Sequence, residues 1–164
     1  MIQRIQSLYM LAGAVAILML FLFPLASYSV PEATFQFTAF GLTSLTPEVP
    51  LDEMGWAILL ALVVMFALPL VTLFLYRNLE LQTRLLIYTA VLDLLFYGLF
   101  FWQSAQYESF LGGLFSAPAD VVFRLVVFVM PALSFVCMIM AVRYVRRDKW
   151  LLEAADRLRP LRRR

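Results

Sequence analysis

The sequence predicts an all-α membrane protein, a four-helix transmembrane bundle with both termini on one side. Three observations carry that expectation. Of the 164 residues, 63% are hydrophobic and 15% charged, against about 45–50% and about 25% in soluble domains. Four apolar runs are each long enough to cross a hydrocarbon core of roughly 30 Å as a helix rising about 1.5 Å per residue. Almost all Lys and Arg fall on one side of those runs. With a mean hydropathy of +0.87, a water-soluble globule and a disordered chain are excluded. The single cysteine, Cys137, excludes a disulfide scaffold and a thiolate metal site.

The first span is expected over residues 7–28. Its apolar run from Leu8 to Ala26 is too long for a secretory signal and no small-x-small cleavage site follows, so a retained helix is expected. The loop 29–53 carries Glu32, Glu48, Asp52 and Glu53 but no Lys or Arg. Within it Thr34-Phe35-Gln36-Phe37-Thr38 alternates polar and apolar, the signature of a half-buried strand. Gly41 and Pro47 supply turn points. A short β-hairpin lying over the helix ends, with Phe35 and Phe37 turned toward them, is expected there. It would act as an ordered cap, or else as a ligand lid or a partner-docking strand.

The second span is expected over residues 54–76 and the third over 85–105. Between them Glu80 is three residues from Arg77 and four from Arg84, a spacing that pairs charges on a helical surface and fixes a tight turn. The loop 106–120, with Gly112, Gly113 and Pro118, reads as a plain connector carrying Glu108 and Asp120. The fourth span is expected over residues 121–142. Pro69 and Pro131 fall inside the second and fourth spans, where proline marks a kink and paired breaks can mark a transport site. A continuous apolar character at these lengths excludes a membrane β-barrel.

Residues 1–143 thus form a transmembrane domain and residues 144–164 a basic tail. That tail holds eight Lys or Arg against three acids. Leu151, Ala154, Ala155 and Leu158 form one apolar stripe, so an amphipathic helix on an anionic leaflet, or docked on a protein partner, is expected. Arg146, Arg147, Lys149, Trp150, Arg157 and Arg159 are the candidate docking residues. Nucleic acid is not an expected partner, because only Arg162–Arg164 offers a like-charge run. Of the thirteen basic residues only Arg124 breaks the separation. By the positive-inside rule both termini are cytoplasmic and the acidic loops face outward. Tyr28, Trp56, Trp102 and Tyr107 would mark the outer interface, and Tyr76, Tyr88, Tyr144 and Trp150 the inner one.

Asp93 is the most informative residue. An ionised carboxylate at that depth costs about 2.5–3.5 kcal/mol on insertion scales, so it must face the bundle interior, be protonated, or have a partner. Ser134 matches its depth and Tyr97 lies one turn along. The three read as a polar tie between the third and fourth spans, or as a proton relay. Asp120 and Arg124, four apart at the outer boundary, are expected to pair on one helical face. Catalysis has no support: the chain lacks histidine, a phosphate loop and a nucleophile elbow. No cofactor or metal is expected, and the methionines of the spans read as packing.

The opening Met1-Ile2-Gln3-Arg4-Ile5-Gln6-Ser7-Leu8-Tyr9 is one of three familiar stretches. The others are Leu81-Gln82-x-Arg84-Leu85-Leu86 and the tail Arg146-Arg147-Asp148 with Ala155-Asp156-Arg157-Leu158-Arg159. Together they resemble a family of four-helix membrane proteins from the Bacteroidota that carries a domain-of-unknown-function label. The resemblance implies a bacterial inner membrane and supplies no catalytic or binding residues. The expected function is a non-enzymatic accessory or assembly subunit of a larger membrane complex. The alternative is a small oligomeric carrier coupled to protons through Asp93.

Overall fold

The computed structural model describes residues 3–46, 52–75, 78–116 and 118–158. Helix α1 (Gln3–Leu22) is followed by strands β1 (Ala26–Val30), β2 (Ala33–Thr38), β3 (Gly41–Ser44) and β4 (Asp52–Met54). Then come α2 (Trp56–Phe74), α3 (Leu79–Phe115), β5 (Asp120–Phe123) and α4 (Leu125–Leu158). All four helices are long and apolar enough to cross a membrane. The chain is therefore mostly helical with a small antiparallel sheet, rather than purely α.

The first span ends earlier than the hydropathy suggests. Pro24 cannot continue a helix, and beyond it Ala26, Tyr28 and Val30 are buried while Ser27 and Ser29 are more open. That period of two makes a strand. β1 joins β2 through the two residues Pro31 and Glu32, pairing Val30 with Ala33 and Ala26 with Phe37. β2 turns into β3 through Ala39 and Phe40, pairing Thr38 with Gly41. Gly41 sits at φ 142°, where a side chain would be strained. The Thr38 hydroxyl closes that turn by donating to the Gly41 carbonyl at 3.2 Å.

The expected hairpin is thus the middle of a five-stranded sheet of order β4-β3-β2-β1-β5. Its far edge comes from residues 120–123, which pair with β1 instead of opening the fourth span. Phe35 and Phe37 are fully buried, as the alternation requires, and they pack on α3. Phe37 stacks on Phe100 with ring centroids 5.8 Å apart and meets Tyr107 edge-on at 5.0 Å, and Phe35 lies 5.7 Å from Phe115. Burying each such ring contributes about 1.5–3 kcal/mol where the alternative is water.

α3 has 37 residues, about 55 Å of helix at 1.5 Å each. It overshoots a 30 Å core by several turns, and that excess is the wall on which the sheet rests. The connector expected over 106–120 is therefore helical as far as Phe115. Ser116 ends it in the left-handed conformation at φ 51°, the usual helix stop. α4 likewise runs on without a break to Leu158, so the tail is not a separate helix. Residues 159–164 lie outside the described region.

α1 packs against α2 and α4, and α3 packs against the same two. Outward they present large apolar side chains such as Leu8, Leu60, Phe74 and Leu95, a surface suited to lipid. The interior falls into two apolar clusters. One joins the sheet's buried face to Ile17, Leu20, Leu62, Met65, Phe96, Phe100 and Val127. The other holds Met10, Leu86, Ala90, Met138, Ala141, Val142 and Val145.

Candidate functional site

Asp93 and Ser134 lie at the seam between those clusters. On α3, Ala90 belongs to the second cluster and Phe96 to the first; on α4, Met138 and Val127 divide in the same way. Both Asp93 and Ser134 are fully buried, and the Ser134 hydroxyl is the polar group facing the Asp93 carboxyl. Neither carboxylate oxygen nor that hydroxyl has a partner within hydrogen-bond distance. The expected tie between them is therefore a juxtaposition, not a formed bond. Arg84 on α3 and Arg143 on α4 are each nine residues toward the other end, roughly 13 Å along the helices. No cation neutralises Asp93 from within the described helices.

Tyr97 does tie α3 to α4, one turn further on. Its hydroxyl donates to the Phe128 carbonyl at 2.6 Å. Phe128 stands three residues before Pro131, in the turn that a proline loosens by removing a backbone donor. The carbonyl that Pro131 leaves without a donor is that of Val127, and the Tyr97 bond braces the residue beside it. Opposite the seam, α1 contributes Gly13, a residue the sequence reading passed over. A Cβ at Gly13 would run into the Met138 methyl and come within 3.5 Å of both the Ser134 hydroxyl and the Cys137 Cβ. A glycine is what lets α1 approach α4 at this level.

A second polar group lies at the end that carries the basic residues. The Gln82 side chain donates to the Thr72 carbonyl at 3.3 Å and approaches the Met10 sulfur at 3.8 Å, while its own oxygen has no partner. The Gln6 amide donates to the Asp148 carboxylate, and Tyr9 stacks on Tyr144 at 5.4 Å. Glu80 lies 3.8 Å from Arg84 and 3.9 Å from Lys149; Arg77 falls outside the described residues. These contacts attach α1, α3 and the long extension of α4 to one another. Glutamines inside otherwise apolar runs were the available signal for them. Arg146, Arg147, Lys149 and Trp150 are exposed on that extension. Arg157 has only its backbone described, and Arg159 is among the residues not described.

The expected Asp120–Arg124 pair does not form. The two residues do not share a helix: Asp120 belongs to β5, where residues rise about 3.3 Å each, and Arg124 follows the strand. Arg124 instead donates to the Ser27 hydroxyl at 3.2 Å on the open face of the sheet. The aromatic residues expected at the outer interface divide as well. Trp56 and Trp102 are exposed, whereas Tyr28 and Tyr107 are buried beneath the sheet. The Tyr28 hydroxyl lies 2.8 Å from that of Ser104, and burial pushes its titration from 10.0 up to about 12.

Among the described residues no three His, Cys, Asp or Glu side chains gather as a metal site. A family model described as a domain of unknown function, DUF4293, matches residues 2–158. No curated protein matches the chain.

Proposed function

The chain belongs to the DUF4293 family, and from that premise we propose that it serves as a non-enzymatic accessory or assembly subunit of a larger complex in a bacterial inner membrane. The observation that carries the proposal is the extension of α4. The helix has 34 residues, about 50 Å, and only some 20 residues are needed for a span. Its remainder holds the exposed Arg146, Arg147, Lys149 and Trp150 on a rigid rod anchored to α1 by Gln6 and Tyr9. Such a rod suits docking on a protein partner beside an anionic leaflet better than a flexible tail would. The separation of Lys and Arg supports a cytoplasmic position for this end and for both termini.

Replacement of Arg146, Arg147, Lys149 and Trp150 by serine tests the docking role while sparing the Asp148 and Val145 contacts. The folded helices should survive and association with the partner should fall at least about tenfold, or about 1.4 kcal/mol. Undiminished association would refute it. A second reading, a proton-coupled carrier acting as an oligomer, is favoured by the uncompensated Asp93 alone. Against it stands the stacked Phe96–Phe100–Phe37 layer between Asp93 and the sheet.

A further inference from the structure

We propose that Asp93 and Ser134 form a proton-binding site reached from the basic end of the molecule and closed toward the sheet. The inference rests on the membrane-spanning reading but not on the subunit role. Two fully buried polar side chains face one another with no third polar group between them and no charge beside them. An ionised carboxylate in that setting would have no counter-ion, and the Ser134 hydroxyl would be its one polar neighbour. With a proton bound, the carboxyl becomes a donor and Ser134 its natural acceptor, which joins α3 to α4.

The two approaches to the site differ. Toward the sheet lie Phe96 and Phe100, their rings 6.2 Å apart and nearly parallel, then Phe37 stacked on Phe100 and Phe123 edge-on to it at 5.7 Å. These are stiff, interlocked rings with a five-stranded sheet above them. Toward the basic end the barrier is Leu86, Met10 and Met138, and two of those three are unbranched thioethers that rearrange readily. Beyond them lies Gln82 with its oxygen unsatisfied, about 16 Å from Asp93 along α3. Gln82 is itself buried, so a water entering from the basic end would pass it and then the cluster that Met10 and Met138 line.

The other titratable groups near the site are few. On α3 it is Tyr97 and on α4 Cys137, both within electrostatic reach of Asp93. α1 offers Tyr9, nearer the basic end, and α2 has no titratable residue at all. None of these supplies a positive charge that would hold the Asp93 carboxyl ionised.

The full chain, reconstituted in sealed lipid vesicles and oriented by trypsin cleavage of its Arg-rich end, would be treated with dicyclohexylcarbodiimide. A protonated carboxyl adds to this reagent: its proton passes to a nitrogen and its oxygen bonds to the central carbon. The adduct rearranges to an N-acylurea with nothing lost, so the chain gains one whole reagent mass. The expected result is a single adduct at Asp93, absent from Asp93→Asn. Raising the pH at the basic end should lower its yield, by about tenfold per pH unit once past the midpoint, and raising it at the sheet end should not. No adduct at Asp93 under any condition would overturn the proposal. A response to the sheet-end pH would overturn the one-sided access and support the carrier instead. Because the vesicles hold this chain alone, loss of the subunit reading leaves the result untouched.

Discussion

At the scale of single residues, two hydroxyls make predictions of opposite character. Tyr97→Phe removes the bond to the Phe128 carbonyl. Interhelical bonds in membranes average about 0.6 kcal/mol and reach about 1.7. Supporting a proline-loosened turn places this one toward the upper end, and reversible unfolding in mixed micelles would measure it; an unchanged midpoint would remove the assigned role. Tyr28→Phe acts through pH. Below pH 10 its hydroxyl is protonated whether the protein is folded or not, so it has no effect on the slope. Above that the unfolded tyrosine ionises while the folded one, held at about 12, does not. Stability should therefore fall as pH rises from 10 toward 12, and Tyr28→Phe should flatten that part of the profile. An equal decline in both proteins would contradict the buried assignment.

Among elements, the termination of α3 is the point at which local preferences are least satisfied. Ser116 adopts a left-handed conformation that costs an L-residue roughly 1–2 kcal/mol, and the helix passes through Gly113 with open space where a Cβ would be. Ser116→Gly and Gly113→Ala should each stabilise the fold by about 0.5–1 kcal/mol, read by the same unfolding measurement. Losses would mean that α3 does not extend this far in solution. Hydropathy located all four helices, because twenty apolar residues in a row have few alternatives. It misplaced their ends. Ala26–Val30 and Asp120–Phe123 are apolar enough to be absorbed into the neighbouring spans, and only the alternation of Ala26, Tyr28 and Val30 with two serines, following Pro24, distinguishes a strand. The pairing of β5 with β1 joins residues almost a hundred positions apart, which no local pattern contains. Asp93 and Ser134 were legible as a pair because depth follows from counting residues. Gly13 was not, since its meaning lies in the Met138 side chain opposite.

At the scale of the whole molecule, the two ends serve different physical purposes. At one end the sheet buries aromatic rings away from water and seals the helices. At the other, the polar contacts of Gln6, Gln82, Tyr9 and Glu80 hold a helix that extends past any plausible span. The proposed subunit role rests on that rigid surface at the basic end. The most direct test is purification from the source membrane in mild detergent, with native mass spectrometry of the intact particle and of the same particle from cells in which Arg146, Arg147, Lys149 and Trp150 are replaced by serine. The account predicts a particle containing this chain and a different protein in fixed stoichiometry, lost when those four side chains are replaced. A chain that elutes alone or only with copies of itself would contradict it.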